Sequence, residues 1–118
     1  MRPVLANTKK VYQWGDGDIR WPLVETEDLF VTEETLVPGC SEKHNYCSQA
    51  AQCFYMLVAR AVMQFAEGQT VKIDTGMALY IPPETRHAIV CQTDEAIRFL
   101  MIFLPSLRSD RYEVEQDK

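Results

Sequence analysis

Residues 76–91 read GMALYIPPETRHAIVC, and the fold can be inferred from this stretch. An apolar run ends at two prolines, which lack the amide hydrogen that an inner position of a sheet needs. A second apolar run begins at His87 and ends at Cys91. The pattern predicts two short strands joined by a proline-containing turn, with His87 at the start of the second strand.

Most of the chain around this stretch also favours strands. Residues 29–37 are rich in β-branched side chains, which suit a pleated sheet. Residues 70–74 alternate in character after a hairpin turn at residues 66–69. Residues 54–65 are strongly apolar, and their composition would also suit a helix. Residues 97–104 are apolar almost throughout, which predicts a strand buried on both faces, against a second sheet or a dimer partner.

The two ends of the chain carry weaker signals. Residues 4–26 contain a turn cluster at residues 14–18 and the extended dipeptide Trp21-Pro22, which predicts a lead-in with few strands. Residues 106–118 are polar and are predicted to form a loosely held tail. Without an amphipathic helix, the pattern as a whole predicts an all-β sandwich or barrel.

The bulk composition narrows the class of protein. A chain of 118 residues suits one domain, residues 1–118. With 47% hydrophobic and 25% charged residues it resembles an ordinary globular protein, and it has no apolar run of the roughly 20 residues that a membrane span needs. The start lacks the apolar core of a signal peptide, so a cytoplasmic location is expected. A net charge of −5 with scattered basic residues argues against nucleic acid as a partner.

The cysteines indicate reduced thiols rather than a structural framework. Cys40, Cys47, Cys53 and Cys91 show no Cys-x-x-Cys spacing. A structural zinc site is therefore not expected. In a reducing compartment the four would remain thiols.

The intervals within residues 76–91 resemble the second motif of the cupin family. That motif is Gly, five residues, Pro, one residue, Gly, two residues, His, three residues and a final Asn. The chain keeps every interval, with Glu84 where the family has the second glycine and Cys91 where it has asparagine. His87 occupies the histidine position.

An earlier stretch resembles the first cupin motif more loosely. That motif is Gly, five residues, His, one residue, His, three or four residues, Glu, six residues and Gly. When the match is placed on the histidine, Gly39 to His44 is one residue short and Tyr46 takes the second histidine position. Gln52 takes the glutamate position after five intervening residues, and Ala59 restores the final interval.

The resemblance runs from about residue 31 to residue 103 and implies an all-β, double-stranded β-helix, or jelly-roll barrel. In such a barrel the apolar residues 54–65 break near Ala59 into two strands. The polar tail at about residues 106–118 lies outside the motif core.

The resemblance also implies a metal centre formed by His44, Tyr46, Gln52 and His87. Side chains alternate along a strand, so His44 and Tyr46 share one face, and His87 shares a face with Cys91. If both faces point inward, the two imidazoles converge. Imidazoles bind Fe, Mn, Zn, Ni or Cu, so a divalent transition metal of this group is the expected cofactor.

The substituted positions leave several roles open. Gln52 keeps an oxygen donor but lacks the charge of glutamate. Tyr46 would ligate as a phenolate, act as a general acid or form an aromatic wall of the pocket, and both residues are candidate catalytic groups. Cys91 would be a thiolate ligand or a small buried hydrophobic residue. Glu84 would be a base or a solvated loop residue, and Arg60 would clamp a carboxylate if it faced inward.

Three functions are consistent with these residues. The first is a small metalloenzyme that acts on a small polar or anionic metabolite, of the dioxygenase, isomerase, epimerase, lyase or cyclase type. The second is a metal-free cupin that binds a small molecule. The third is an assembly role through the apolar strand at residues 97–104. In the first two readings the partners are a small molecule and a second copy of the chain, with neither nucleic acid nor membrane.

Overall fold

The structure is a computed structural model that describes residues 2–5, 12–13, 18–105 and 111–114. Within these ranges the chain forms eleven strands, and a single 3-10 turn, Ala66–Gly68, lies between the sixth and the seventh. In chain order the strands are β1 (Tyr12–Gln13), β2 (Asp18–Glu25), β3 (Phe30–Leu36), β4 (Asn45–Cys47), β5 (Ala51–Val58), β6 (Ala61–Phe65), β7 (Thr70–Ile73), β8 (Ala78–Ile81), β9 (His87–Val90), β10 (Ile97–Leu104) and β11 (Arg111–Glu113).

The strands form two sheets that pack face to face. Sheet I has the spatial order β1-β2-β3-β10-β5-β8, and sheet II has the order β11-β4-β9-β6-β7. Every pair of neighbouring strands is antiparallel. This arrangement confirms the predicted all-β jelly-roll barrel, including the break of residues 54–65 into β5 and β6.

The space between the sheets holds one hydrophobic core. Alternation along the strands builds it, because every second residue of β10 is buried, from Ile97 to Phe103. On the opposite face of β10, Leu100 and Ile102 are only half-buried. The strand expected to be buried on both faces is therefore covered on one face within a single chain. The largest core side chains include Phe54, Phe99, Phe103, Met56, Met63, Met101, Ile89 and Leu36.

The amino-terminal region contains a longer strand than its sequence suggested. β2 covers eight residues and pairs with β3. Pro22 lies inside it, where the register shifts between Pro22 and Val24. Such irregularities accommodate proline because the ladder is already interrupted there. The turn predicted at residues 14–18 lies outside the described residues, except that Asp18 begins β2.

The carboxy-terminal region also differs from expectation. A polar tail was predicted, but β11 adds an edge strand to sheet II by pairing with β4. Lys43 forms an exposed ion pair with Glu113 beside this pairing. Composition did not indicate this strand because its contacts are with residues far away in the chain.

In the part of the chain that the structure describes, no helix is long and apolar enough to cross a membrane.

Candidate functional site

His87 lies at the start of β9 and points into the space between the sheets. Its side chain is fully buried, and its ring meets the ring of Phe54 from sheet I edge-on, with centroids 5.7 Å apart. The Nδ1 atom lies 2.7 Å from the carbonyl oxygen of Thr85. Because a carbonyl only accepts, Nδ1 carries the proton, and Nε2 of the neutral ring is an acceptor. Such a backbone contact fixes the orientation of an imidazole.

His44 lies on the opposite, outer face of sheet II. Its Nε2 atom is 3.4 Å from the side-chain oxygen of Gln64. Gln64 pairs with Ala88, the residue after His87, so Gln64 and His87 point to opposite faces of the sheet. The structure therefore does not bring the two imidazoles together as the sequence led us to expect.

Tyr46 shares the outer face with His44, as the alternation predicted. It is half-buried and stacks on Tyr112 of β11, with ring centroids 5.4 Å apart and planes inclined by 28°. Of the three roles left open for Tyr46, this geometry favours an aromatic contact, although the contact lies outside the barrel. Its role as a ligand or general acid stays a prediction.

The residues that share the interior with His87 are the alternate residues of β4. Asn45 pairs directly with His87 and is fully buried. Its amide nitrogen donates to the carbonyl of Lys43 at 2.7 Å and lies 3.4 Å from the carbonyl of His87. Cys47, two residues further on, belongs to the hydrophobic core. Gln52 completes the inward set from sheet I and is 2% exposed.

The intervals of the first cupin motif fit this inward set rather than His44. Five residues separate Gly39 from Asn45, one separates Asn45 from Cys47, four separate Cys47 from Gln52, and six separate Gln52 from Ala59. Each interval is the one that the motif has. The inward residues Asn45, Cys47, Gln52 and, from the second motif, His87 thus occupy the four ligand positions.

Backbone conformation supports the glycine positions of both motifs, including Gly39 and Ala59, which the two registers of the first motif share. The four glycine positions of the two motifs all have positive φ: 81° at Gly39, 68° at Ala59, 86° at Gly76 and 62° at Glu84. The left-handed region is uncommon for residues other than glycine. The chain therefore keeps the turns of both motifs even where Ala59 and Glu84 have replaced glycine.

Sequence matching missed Asn45 and Cys47 because it was placed on the histidine. A count of five residues from Gly39 would have found them. The earlier assignment of His44, Tyr46, Gln52 and His87 to one metal centre is not supported by the geometry, since two of these residues lie inside the barrel and two lie outside.

The chemistry of the inward donors does not fit the expected divalent metal centre. The set offers one imidazole, one thiol and two amides, and it contains no carboxylate. Hard divalent ions prefer charged oxygen ligands, and zinc-type sites use three or four histidine, cysteine or carboxylate ligands, of which this set offers two. Within the described residues, no group of three or more histidine, cysteine, aspartate or glutamate side chains is arranged to hold a metal ion.

The structure also shows the positions of three further residues that the sequence suggested as candidates for the site. Cys91 is completely buried in the core, and its thiol lies 3.2 Å from the carbonyl oxygen of Glu95, which fits the small-hydrophobe reading. Arg60 does not face inward but forms an exposed ion pair with Asp74. Glu84 has an exposed side chain, while its backbone N–H donates to the carbonyl of Cys47 at 2.6 Å.

A second polar cluster lies in the interior, on β2 and β3 of sheet I. The Arg20 guanidinium donates to Glu34 at 2.8 Å, and Thr32 donates to the other oxygen of the same carboxylate at 2.9 Å. Burial alone lowers the pKa of Arg20, but the attraction and hydrogen bond of Glu34, with the charges of Glu42 and Asp18, outweigh it and raise that pKa above its ordinary value. A raised pKa means that this stabilisation is present at ordinary pH and is lost only as pH rises through the raised value.

Solved structures with the same architecture come from several bacteria. An uncharacterised double-stranded β-helix protein of Klebsiella pneumoniae is 16% identical, with 98% of this chain and 99% of that chain covered and a TM-score of 0.83. The polyketide cyclase RemF of Streptomyces resistomycificus is 19% identical, with 100% and 88% covered and a TM-score of 0.84. A cupin sugar phosphate isomerase of Silicibacter pomeroyi is 19% identical, with 86% and 68% covered and a TM-score of 0.73.

These likenesses show the fold, since identities below one fifth carry no reaction with them. No curated protein matches the chain at a significant level. The family model of the cupin domain matches residues 32–103, which is more than half of the chain and contains both motifs. The chain belongs to the cupin domain family.

Proposed function

We propose that this cupin binds a small, oxygen-bearing organic molecule at the barrel centre through Gln52, Asn45 and His87, and that it does so without a resident metal. The chemistry of the inward donor set, described above, is the reason for excluding the metal from the proposal. The hydrogen bonding of Gln52 is the observation that carries it.

Gln52 has a primary amide in the core with a weak partner. Its Nε2 atom lies 3.5 Å from the thioether sulfur of Met101, and this is the one hydrogen bond of the side chain within the described residues. Thioether sulfur is a weak acceptor. Leaving a buried polar group poorly paired costs about 1–3 kcal/mol, and such groups in native proteins usually have a purpose. A ligand oxygen that accepts from this amide would supply the missing partner.

His87 and Asn45 complement Gln52 across the barrel. With its proton on Nδ1, the His87 ring has its acceptor atom at Nε2. The Asn45 amide nitrogen donates to the carbonyls of Lys43 and His87, so towards a ligand Asn45 would act through its side-chain oxygen, as an acceptor. One donor, at Gln52, and two acceptors, at His87 and Asn45, together suit a neutral molecule that carries a carbonyl or ether oxygen beside hydroxyl groups. Small apolar-walled sites with a few polar groups are the usual form of a metabolite site.

A metal-dependent enzyme is the second candidate. One observation favours it, namely the Nδ1 contact of His87 with a backbone carbonyl, which is common in ligating histidines. The related structures include a cyclase and an isomerase by name. In this reading Cys47 and His87 would hold a soft ion, which would act as a Lewis acid.

Elemental analysis of the purified, untagged protein separates the two candidates. The proposal expects no stoichiometric transition metal, before or after reconstitution. A near-stoichiometric metal that is lost in the His87→Ala variant would overturn the proposal and support the enzyme. Chelator-treated protein is then screened for thermal stabilisation by a library of small carboxylic acids, sugars and hydroxy acids, because a ligand that binds the folded state raises its stability.

The variant Gln52→Met tests the role of the amide. Methionine conserves the volume and removes the buried polar group, so the ligand-free protein should keep its stability or gain up to about 1 kcal/mol. Stabilisation by the library ligand should disappear. The control Gln92→Met, at an exposed position outside the barrel, should respond to the ligand as the unmodified protein does. A ligand response that survives in Gln52→Met would contradict the proposal.

We also propose that the protein is a homodimer through the outer face of sheet I. On this face the half-buried Ile102 lies between Val31 and Cys53, and the half-buried Leu100 lies between Tyr55 and the charged Glu33. Three of these four neighbouring side chains therefore present apolar or aromatic surface. Covering such a surface with a second copy removes apolar area from water. Sedimentation should give a dimer for the unmodified protein and a monomer for Leu100→Glu, and a monomer for both would remove this proposal.

A further inference from the structure

A cleft of about 450 Å3 is lined by His44 and Gln64, which lie on the outer face of sheet II, and also by Phe65, which pairs with His87. It lies beside the 3-10 turn Ala66–Gly68 that joins β6 to β7. Its lining includes His44, Gln64, Glu67 and Arg86. None of these four belongs to the inward set described above.

His44, in the lining of the cleft, contacts the side chain of Gln64. Gln64 and Ala88 are paired on neighbouring strands, and His44 lies immediately before Asn45, the residue that pairs with His87. Because Ala88 has only a methyl group, His44 and Gln64 meet above it, and Ala88 is 1% exposed although it is on the outer face. When Nε2 donates to the Gln64 oxygen, Nδ1 is the ring nitrogen that can accept from a ligand.

Two opposite charges line the same cleft without neutralising each other. The side chains of Arg86 and Glu67 are both exposed. Among the described residues neither forms an ion pair, with the other or with a third group. Guanidinium groups bind carboxylates in a bidentate manner, while carboxylates and neutral imidazoles accept from ammonium groups. The cleft is therefore complementary to a molecule that carries both charges.

We propose that this cleft is a second binding site, which takes a small zwitterion with a carboxylate and a protonated amine. Arg86 binds the carboxylate, while Glu67 and His44 accept hydrogen bonds from the ammonium group. His44 and Gln64 lie on the face of sheet II opposite to His87, and none of Asn45, Cys47, Gln52 and His87 lines the cleft. The inference thus goes beyond the function proposed above and holds whether or not that centre binds a ligand.

Titration followed by backbone amide NMR tests the site directly, since a chain of 13.6 kDa suits this method. The probes are free L-amino acids, their N-acetyl derivatives and their methyl esters, at about 10 mM, which is tenfold above a Kd of about 1 mM. At least one free amino acid should shift the amides of Gln64, Glu67 and Arg86. The matched N-acetyl derivative, without the ammonium, and the matched ester, without the carboxylate, should bind about tenfold more weakly.

Matched variants assign the charges. Arg86→Gln should lower the affinity for the free amino acid about tenfold. Its effect on the affinity for the ester should be smaller. Glu67→Gln should weaken the binding of the free amino acid but not the binding of its N-acetyl derivative. Lys72→Gln removes an exposed charge from the neighbouring strand β7 outside the cleft lining and should leave binding unchanged.

The proposal is overturned if no free amino acid shifts the cleft amides. Equal binding of free, acetylated and esterified forms would overturn it as well, because recognition would not depend on the two charges. The shifts also locate the site. Perturbation confined to Asn45, Gln52 and His87 would move binding to the barrel centre and remove the second site.

Discussion

The two histidines of the chain lie on opposite faces of one sheet, and their surroundings differ accordingly. His87 is enclosed between the sheets, with its ring against Phe54 and its Nδ1 held by a backbone carbonyl. His44 is half-buried on the outer face and contacts a glutamine side chain. The residue type is the same, but strand parity assigns one histidine to the barrel centre and the other to a surface cleft. A ligand position in a sheet is therefore identified first by its spacing within the motif and by the face of the strand, and only then by its residue type.

Alanine substitution of each histidine should expose this difference most strongly. His87→Ala removes a fully buried ring and should lower the free energy of unfolding by about 3 kcal/mol, as truncation of a buried ring leaves a cavity. His44→Ala should cost less than about 1 kcal/mol, because it removes a half-buried side chain with one long hydrogen bond. Denaturant unfolding measures both losses. Equal losses for the two variants would contradict the assignment to different faces.

Rebuilding the family ligands should also distinguish the two registers. A triple variant places three histidines and a carboxylate inside the barrel, a set that suits zinc or nickel. Its substitutions are Asn45→His, Cys47→His and Gln52→Glu. Metal at a hundred times its Kd should then stabilise this variant by about 2.7 kcal/mol. Tyr46→His/Gln52→Glu rebuilds the register that contains His44 and should gain almost nothing. Calorimetry in the presence and absence of Ni2+ measures the difference, and a gain in the second variant alone would restore the earlier register.

The sequence predicted most of the barrel and one half of its centre. The second motif kept its intervals, so the turn before β9 and the burial of His87 followed from local pattern. The first motif has lost its histidines and glutamate at the ligand positions. The match was therefore placed on His44, which lies one residue before the true ligand position. The burial of Asn45 and its pairing with His87, between strands that are far apart in the sequence but adjacent in sheet II, show which face points inward.

The ends of the chain were beyond sequence reasoning for a related physical reason. β2 contains Pro22, which argued against a strand until the register shift beside it was known. β11 is short and lies in a polar segment, and its stability depends on pairing with β4. Edge strands of this kind depend on non-local hydrogen bonds, which leave little trace in composition.

The small residue between His44 and Gln64 allows a third test. Ala88→Leu should force the two side chains apart and lower the free energy of unfolding by about 1–2 kcal/mol, as overpacking does. In the NMR spectrum the amides of His44 and Gln64 should move while that of Gln52 should not. Ala78→Leu, at an exposed strand position of sheet I, should change stability by less than about 0.5 kcal/mol. An equally tolerated Ala88→Leu would mean that the row across sheet II is not packed as described.

The positive-φ positions give the smallest effect, and they compare the two motifs directly. Ala59 of the first motif and Glu84 of the second both adopt the left-handed region where the family has glycine. A residue with a side chain loses about 1–2 kcal/mol in that conformation, so its replacement by glycine removes this cost. Glycine is also more flexible in the unfolded chain, which cancels about half of the resulting stabilisation. Ala59→Gly and Glu84→Gly should therefore each stabilise the fold by about 0.5–1 kcal/mol. Ala78→Gly, in an extended strand, should destabilise it by a similar amount. If Glu84→Gly stabilised the protein and Ala59→Gly did not, the turn that ends the first motif would not be left-handed.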